Sequence, residues 1–398
     1  MKFQLSLFAF LVSIFYVNNL NASTYTFTEI VNTRDDLIIV SSPSLANDGD
    51  VSFSSIDRFG VTRIQLSDDG VIRTFANTTG SANILTSPVI SDEVNERNGN
   101  IAYIQIDSPD LISVVSNSGF RSVIASTLRS EFEFFSTPSI NSSGNVAFIA
   151  TEDTAFGRRG ISLHIGDGRT LETIADIADP SGRYREFSGQ PSLNNLGDVA
   201  FIGNLRTGGD ELAVAKGDSF VSIANTLGSI SNIGNYELND RGEVAFLADL
   251  TDGSQAIIVG DGSSTTRIAE TGDDFADFGF VSINNVGDIA FLSFPAPFTG
   301  APRETSLNFY SEGIISTVIS TGDTLDGLLI TSIFFGRESL NESGDLVFRA
   351  SFADGSSGIY RADFNGITAV PLPAALPFFL IGITGIGAVR RKQKTLSA

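Results

Sequence analysis

No cysteine or tryptophan occurs among the 398 residues, and there is one methionine and one histidine. Without cysteine there are no disulfides, no thiol nucleophiles and no thiolate metal sites in any compartment. With His164 as the only imidazole, mechanisms needing two of them are excluded, and its place in an apolar stretch predicts a packed structural residue. Basic residues are scarce: 25 lysines and arginines stand against 46 acids, a formal net charge of −21. Lys2, Arg390, Arg391, Lys392 and Lys394 lie in terminal segments free of acids, so the body between is more acidic still. Such a surface repels phosphates and anionic headgroups, which argues against nucleic acid as a partner. No G-x-S-x-G, Walker or H-E-x-x-H pattern occurs either.

What is present is a repeat. Aligned on one glycine, the chain reads LANDGDVSF to Phe53, GNIAY to Tyr103, INSSGNVAF to Phe148, LNNLGDVAF to Phe201, LNDRGEVAF to Phe246, INNVGDIAF to Phe291 and LNESGDLVF to Phe348. The glycines fall at 49, 99, 144, 197, 242, 287 and 344, a spacing that signals a repeat architecture rather than two or three unrelated domains.

In each copy the asparagine suits the first position of a type I turn, and the glycine suits the left-handed position of a bulge. The run after it, Val146 to Ala150 for example, is apolar at successive positions, as a strand covered on both faces must be. Further strand pairs follow, such as Ile161 to Ile165 with Leu171 to Ala175 and Ala256 to Val259 with Thr265 to Ala269, joined by Gly-Asp-Gly turns at 166–168 and 260–262. Four strands per unit, buried on both faces and repeated seven times, predict an all-β fold: a seven-bladed β-propeller over residues 23–369. An open β-solenoid and two packed β-sandwiches are the competing architectures. Tyr25 to Val31 reads as a strand that would complete the last blade in place of Ile367 to Val370 and close the ring.

The ends read as addresses. Residues 1–22 combine Lys2, an apolar run from Leu5 to Val17 and a small residue, Ala22, before the expected cut; this is a secretory signal peptide, with signal peptidase as its partner. Residues 370–398 begin Val370-Pro371-Leu372-Pro373-Ala374, continue through an apolar stretch at 374–389 and end in Arg390, Arg391 and Lys392. The length suits one transmembrane helix, and the basic end would stay cytoplasmic, leaving the body outside.

Two resemblances add to this. The tail resembles the VPLPA variant of the bacterial PEP-CTERM sorting signals, which implies recognition of Val370 to Ala374 by an exosortase-type protease and delivery to the cell surface or extracellular matrix. The repeats resemble bacterial surface proteins named for the tandem pattern N-x-x-G-x-x-A-F, matched fully by the copies ending at Phe148, Phe201, Phe246 and Phe291. The copies ending at Phe53, Tyr103 and Phe348 depart from it, with Ala46, an insertion near 94–97 and Val347 respectively. That family carries no settled activity.

The residue after each turn glycine includes Asp50, Asp198, Glu243, Asp288 and Asp345, which a propeller would set around one face as a ring attracting a cation such as Ca2+. Acidic residues are also ordinary in soluble turns, and no D-x-D-x-D-G calcium loop occurs. No catalytic, cofactor or metal residue is assigned. On the opposite face the longest connections are 151–160, with Arg158-Arg159, and 294–306, FPAPFTGAPRETS, where ligand contacts concentrate on a rigid scaffold. The expected role is a structural or binding module for exopolysaccharide or another surface protein. The alternative is a polysaccharide hydrolase or lyase using Asp/Glu catalysis.

Overall fold

The computed structural model describes residues 20–370, apart from 35–36, 79–83, 87, 92–99, 109–110, 118–120, 130–131, 154–158, 179–181, 273 and 296–303. Residues 1–19 and 371–398, on which the expected leader and tail fall, lie outside the described residues, as do Arg158 and most of the 294–306 connection. Among the described residues no helix is long and apolar enough to cross a membrane. The chain divides into two compact units, 24–365 and the joined terminal segments 1–23 and 366–398. Of the latter, only the strand ends at 20–23 and 366–370 are described.

Residues 24–365 form an all-β propeller. The strands fall into seven antiparallel sheets, here numbered I to VII by the position of their turn glycines from Gly49 to Gly344. Sheet III shows the plan: Phe132–Phe135 and Ser139–Ile140 together make the innermost strand, followed outward by Val146–Asp153, Arg159–Gly166 and Leu171–Asp176. The repeated turn joins the innermost strand to the second. In sheet III Gly144 N–H donates to Asn141 O at 2.9 Å and Asn141 N–H to Asn145 O at 3.0 Å. Gly144 has φ 81°, a left-handed value that a Cβ disfavours.

The expectation of four strands in every unit needs correction. Sheets IV, V and VI have four strands, but I, II, III and VII have five. In I, II and III the innermost strand is broken in two around Pro43, Pro88 and Pro138, because proline cannot donate to a ladder. In IV, V and VI the same strand stays whole but shifts register between Ser188 and Ser192, Ile233 and Tyr236, and Phe278 and Val281. In VII the strand ends at Phe334 and pairing resumes as a single bridge, Leu340 to Leu346, so every sheet is irregular at one common level.

The second strand is the hub of the packing. Phe53, Phe148, Phe201, Phe246, Phe291 and Phe348 are all fully buried. Six of the seven core clusters combine residues of two sheets adjacent in chain order, and the seventh joins Leu45, Val51 and Phe53 of sheet I to Val347 and Ile359 of sheet VII. The ring closes through that last cluster. Sheet VII is completed on its outer edge by the N-terminal strand Leu20–Asn32, which pairs Ser357–Val370. Ile367 to Val370 is thus the end of the third strand, not a rival fourth. Tyr25 packs on Phe309 and Phe364 with ring centroids 6.1 and 5.5 Å apart, and Phe27 on Phe348 at 6.2 Å.

Candidate functional site at the propeller axis

The repeated turns meet around the axis, and their asparagines do more than cap. Asn141 Oδ1 accepts from Ser143 N–H at 3.1 Å and Asn145 N–H at 3.0 Å, which holds its own turn. Its Nδ2 donates across the sheet boundary to Asn194 O at 3.1 Å. Asn194 repeats this to Asn239 O at 3.1 Å, Asn239 to Asn284 O at 3.0 Å and Asn284 to Asn341 O at 3.0 Å. The next residue supplies a second belt, each accepting from the backbone N–H of the preceding sheet's turn. Ser142 donates to Asn195 Oδ1 at 2.9 Å, Asn195 to Asp240 Oδ1 at 2.7 Å, Asp240 to Asn285 Oδ1 at 2.6 Å, and Glu342 to Asn47 Oδ1 at 2.9 Å across the ring's closure. In sheet I, where Ala46 replaces the asparagine, Asp48 Oδ1 takes the Asp50 N–H at 3.0 Å instead.

These belts line a polar cavity of about 80 Å³ that includes Asn47, Asn195, Asp240, Asn285, Glu237 and Glu342. That volume holds several ordered waters. The carboxylates here are engaged: Asp240 Oδ2 accepts from Asn195 Nδ2 at 3.0 Å and Asn285 Nδ2 at 2.9 Å, and both Glu342 oxygens accept from Asn285 N–H at 3.1 and 3.0 Å.

Residues 336–338, which follow the innermost strand of sheet VII, reach sheets III, IV and V. Arg337 Nη1 donates to Gln190 O at 3.2 Å and Pro191 O at 2.7 Å, and its Nη2 donates to Gln190 Oε1 at 2.9 Å, reaching sheet IV. Glu338 N–H donates to Glu237 Oε2 of sheet V at 3.0 Å, and Ser139 of sheet III donates to Glu338 Oε1 at 2.9 Å. Glu338 holds a left-handed φ of 53°, strained for a residue with a Cβ and maintained by those bonds. Glu338 lines both the polar cavity and a second one of about 190 Å³, so the two meet at this bridge. The second cavity gathers Ser42, Pro88, Thr137, Gln190, Phe280 and Arg337 from the irregular level of six sheets. Burial pushes the phenol of Tyr236, beside Gly189, above its ordinary value, and the Arg337 cation opposes the shift.

The five carboxylates predicted as a cation ring do not converge. Asp198 pairs with Lys216 at 3.4 Å, Glu243 with Arg241 at 2.7 Å, and Asp345 accepts from Asn341 Nδ2 at 3.0 Å and Phe364 N–H at 2.8 Å. Asp288 lies 3.4 Å from Asn284 Nδ2, and Asp50 is buried in its own turn. Among the described residues no group of three or more metal-binding side chains exists. His164 is buried at 4 % exposure, stacked on Phe148, with Nε2 2.7 Å from Ser162 Oγ and 3.3 Å from Glu152. Ser162 is 1 % exposed, so this Ser–His–Glu grouping is closed to substrate and serves packing. Ala22 lies within the N-terminal strand, and Val370 ends the last strand. Pro371 to Ala374 and the Arg390, Arg391 and Lys392 cluster lie outside the described residues.

The model of a family of unknown function, DUF7453, matches residues 86–222 and 270–376, more than half of the chain. The chain belongs to the DUF7453 family. The stretch between the two matches, 223–269, holds most of sheet V, built on the same turn and strand as its neighbours. No protein with a curated description matches the chain. Among solved structures, an oligogalacturonate lyase from Vibrio parahaemolyticus is similar at a TM-score of 0.56 and 14% identity, covering 85% of this chain and 97% of that one. The β-propeller domain of the Trilobed protease from Pyrococcus furiosus reaches 0.49 at 14% identity, covering 71% and 81%. The six-bladed Aleuria aurantia lectin reaches 0.41 at 11%, covering 73% and 99%. At these identities the first likeness speaks for the propeller fold alone.

The belt of this DUF7453 member yields a direct test. Asn141→Ala removes the acceptor of two turn hydrogen bonds and one cross-sheet donor from a site 2 % exposed, with an expected loss of about 2–3 kcal/mol. Asn141→Asp keeps the turn acceptors, and aspartate suits such a turn equally well, but it turns an oxygen toward Asn194 O. Chemical denaturation should show both variants comparably destabilised; an Asp variant as stable as the parent would mean that the asparagine serves only its own turn.

Proposed function

We propose that the protein is an exported seven-bladed propeller, each sheet forming one blade, that acts as a binding or structural module of the cell envelope or its polysaccharide matrix. The leader at 1–22 would direct export. The VPLPA-like tail would hold the chain in the inner membrane before exosortase-type processing releases it to the surface or matrix. One observation carries the binding role. Seven residues before the turn glycine, a repeat that is otherwise regular holds Ser42, Thr137, Gln190, Asn235, Phe280 and Arg337, and all but Asn235 line the larger axial cavity. A position that varies in chemistry while its scaffold is constant is where recognition resides.

The meeting of Glu237 and Glu338 at the axis favours a second reading, a hydrolase or lyase on polysaccharide. Their geometry weighs against it, since Glu237 accepts the Glu338 N–H and Glu338 accepts from Ser139, bonds that hold the axial bridge. Incubating the purified protein with insoluble exopolysaccharide distinguishes the two. Saturable retention without new reducing or unsaturated ends supports the module; product release that Glu237→Gln abolishes would establish the enzyme.

A further inference from the structure

We infer that the larger axial cavity is a binding site for a single neutral pyranose, entering as the end of a glycan chain; this rests on the module reading above. Three features carry it. Phe280 stands 42% exposed at the register shift of its strand between Phe278 and Val281, a bulge that re-aims a side chain. It offers an aromatic face, to which the apolar C–H face of a sugar ring is complementary. Around it stand polar groups of both senses. Arg337 gives three hydrogen bonds to Gln190 and Pro191 out of the five N–H groups of a guanidinium; Gln190, which donates to Thr137 Oγ1 at 3.1 Å, joins it in the lining, and the Thr137 hydroxyl keeps its own proton to donate.

One aromatic face with a few convergent donors and acceptors is the pattern of a small-molecule site, and alternating hydroxyls are the ligand that uses both senses. Glu338 of the bridge at 336–338 stands in the lining of both this cavity and the polar one, so a chain end that enters here meets the bridge. An anionic sugar is disfavoured because Glu338 shares the lining and the whole chain carries −21.

Saturation-transfer NMR on the purified protein, with methyl glucoside, methyl galactoside, methyl mannoside and N-acetylglucosamine as probes and galacturonate as the anionic comparison, tests the assignment. The expected result is millimolar binding of at least one neutral probe, weakened about tenfold or more by Phe280→Ala. Arg337 also ties two sheets together, so the exposed Phe280 is the primary variant, and Arg337→Lys is scored only with an unchanged melting temperature. Retention of the parent and of Phe280→Ala on polysaccharide with equal affinity would overturn this site while leaving the module reading intact. Binding of galacturonate alone would overturn the neutral ligand. Failure of the parent to bind any glycan, soluble or insoluble, would remove the site together with the carbohydrate form of the module.

Discussion

Deleting residues 24–32 is expected to abolish cooperative unfolding, or to lower stability by at least about 5 kcal/mol, comparable with the whole stability of an ordinary domain. These residues form the outer strand of the sheet that ends the chain, so the first and last segments of the propeller hold each other. Thr33 N–H donates to Ser357 O at 2.8 Å and Ser357 N–H to Thr33 Oγ1 at 2.9 Å at one end of the pairing. Tyr360 Oη donates to Glu29 Oε2 at 2.8 Å and lies 3.0 Å from Asp326 Oδ2, and burial with those carboxylates raises its phenol far above the ordinary value. Losing the contacts of the half-buried Tyr25 and Phe27 forfeits about 1 kcal/mol or more per side chain, and the freed edge of Ser357–Val370 would be open to association. Circular dichroism melts and size-exclusion chromatography of the truncated protein read both effects. A truncated monomer melting within a few degrees of the parent would show that the ring closes without its N-terminal strand. A cut after Ala22, as we propose for the leader, leaves Tyr25 and Phe27 in place; one ten residues later would not.

The second large effect concerns the hub phenylalanines. Phe246→Ala should cost about 3–5 kcal/mol, because a side chain with no exposure and neighbours in two sheets leaves a cavity that a ladder-bonded strand cannot collapse to fill. Phe246 sits in the cluster that joins Ala200, Leu212 and Val214 of sheet IV to Leu238, Val244 and Ile258 of sheet V. Its strand is paired on both sides, with Tyr236 and Ile258 directly opposite Phe246. Phe246→Leu retains most of the volume and should lose less than half as much. Urea denaturation with a common slope for all three proteins is the measurement; a loss below about 1 kcal/mol for the alanine variant would show that the sheets repack freely and that the core description is wrong.

Much of the fold is legible in short stretches of sequence. Val244 to Ala248 has no polar position, which only a doubly covered strand tolerates, and Asn239 with Gly242 writes the turn before it. Those are local facts: a residue's own backbone, and the two faces of its own strand, decide them. The N-terminal strand was likewise visible in Tyr25 to Val31, whose alternation resembles the outer strands of the repeat. The prolines at 43, 88, 138 and 191 mark where the innermost strand must bend, and they were a signal of the irregular level that alignment on the glycine alone passes over.

What the sequence by itself determined is therefore the unit and the ring it builds: a capped turn, a buried hub strand and a terminal strand able to complete the last sheet. Tertiary structure alone decided what those parts do for one another. The Asn141 amide looks like a cap, but its second function needs Asn194, 53 residues away, and no local pattern names that partner. Asp198, Glu243 and Asp345 looked like a ring, but each found a nearer partner in its own turn, a cation, or the neighbouring strand. Arg337 reads as an isolated basic residue until the ring brings it to Gln190, 147 positions earlier in the chain. Hydrogen-bond partners and cavity walls are set by distances in space, and closure of the ring brings Ser42, Gln190, Phe280 and Arg337 together around one cavity.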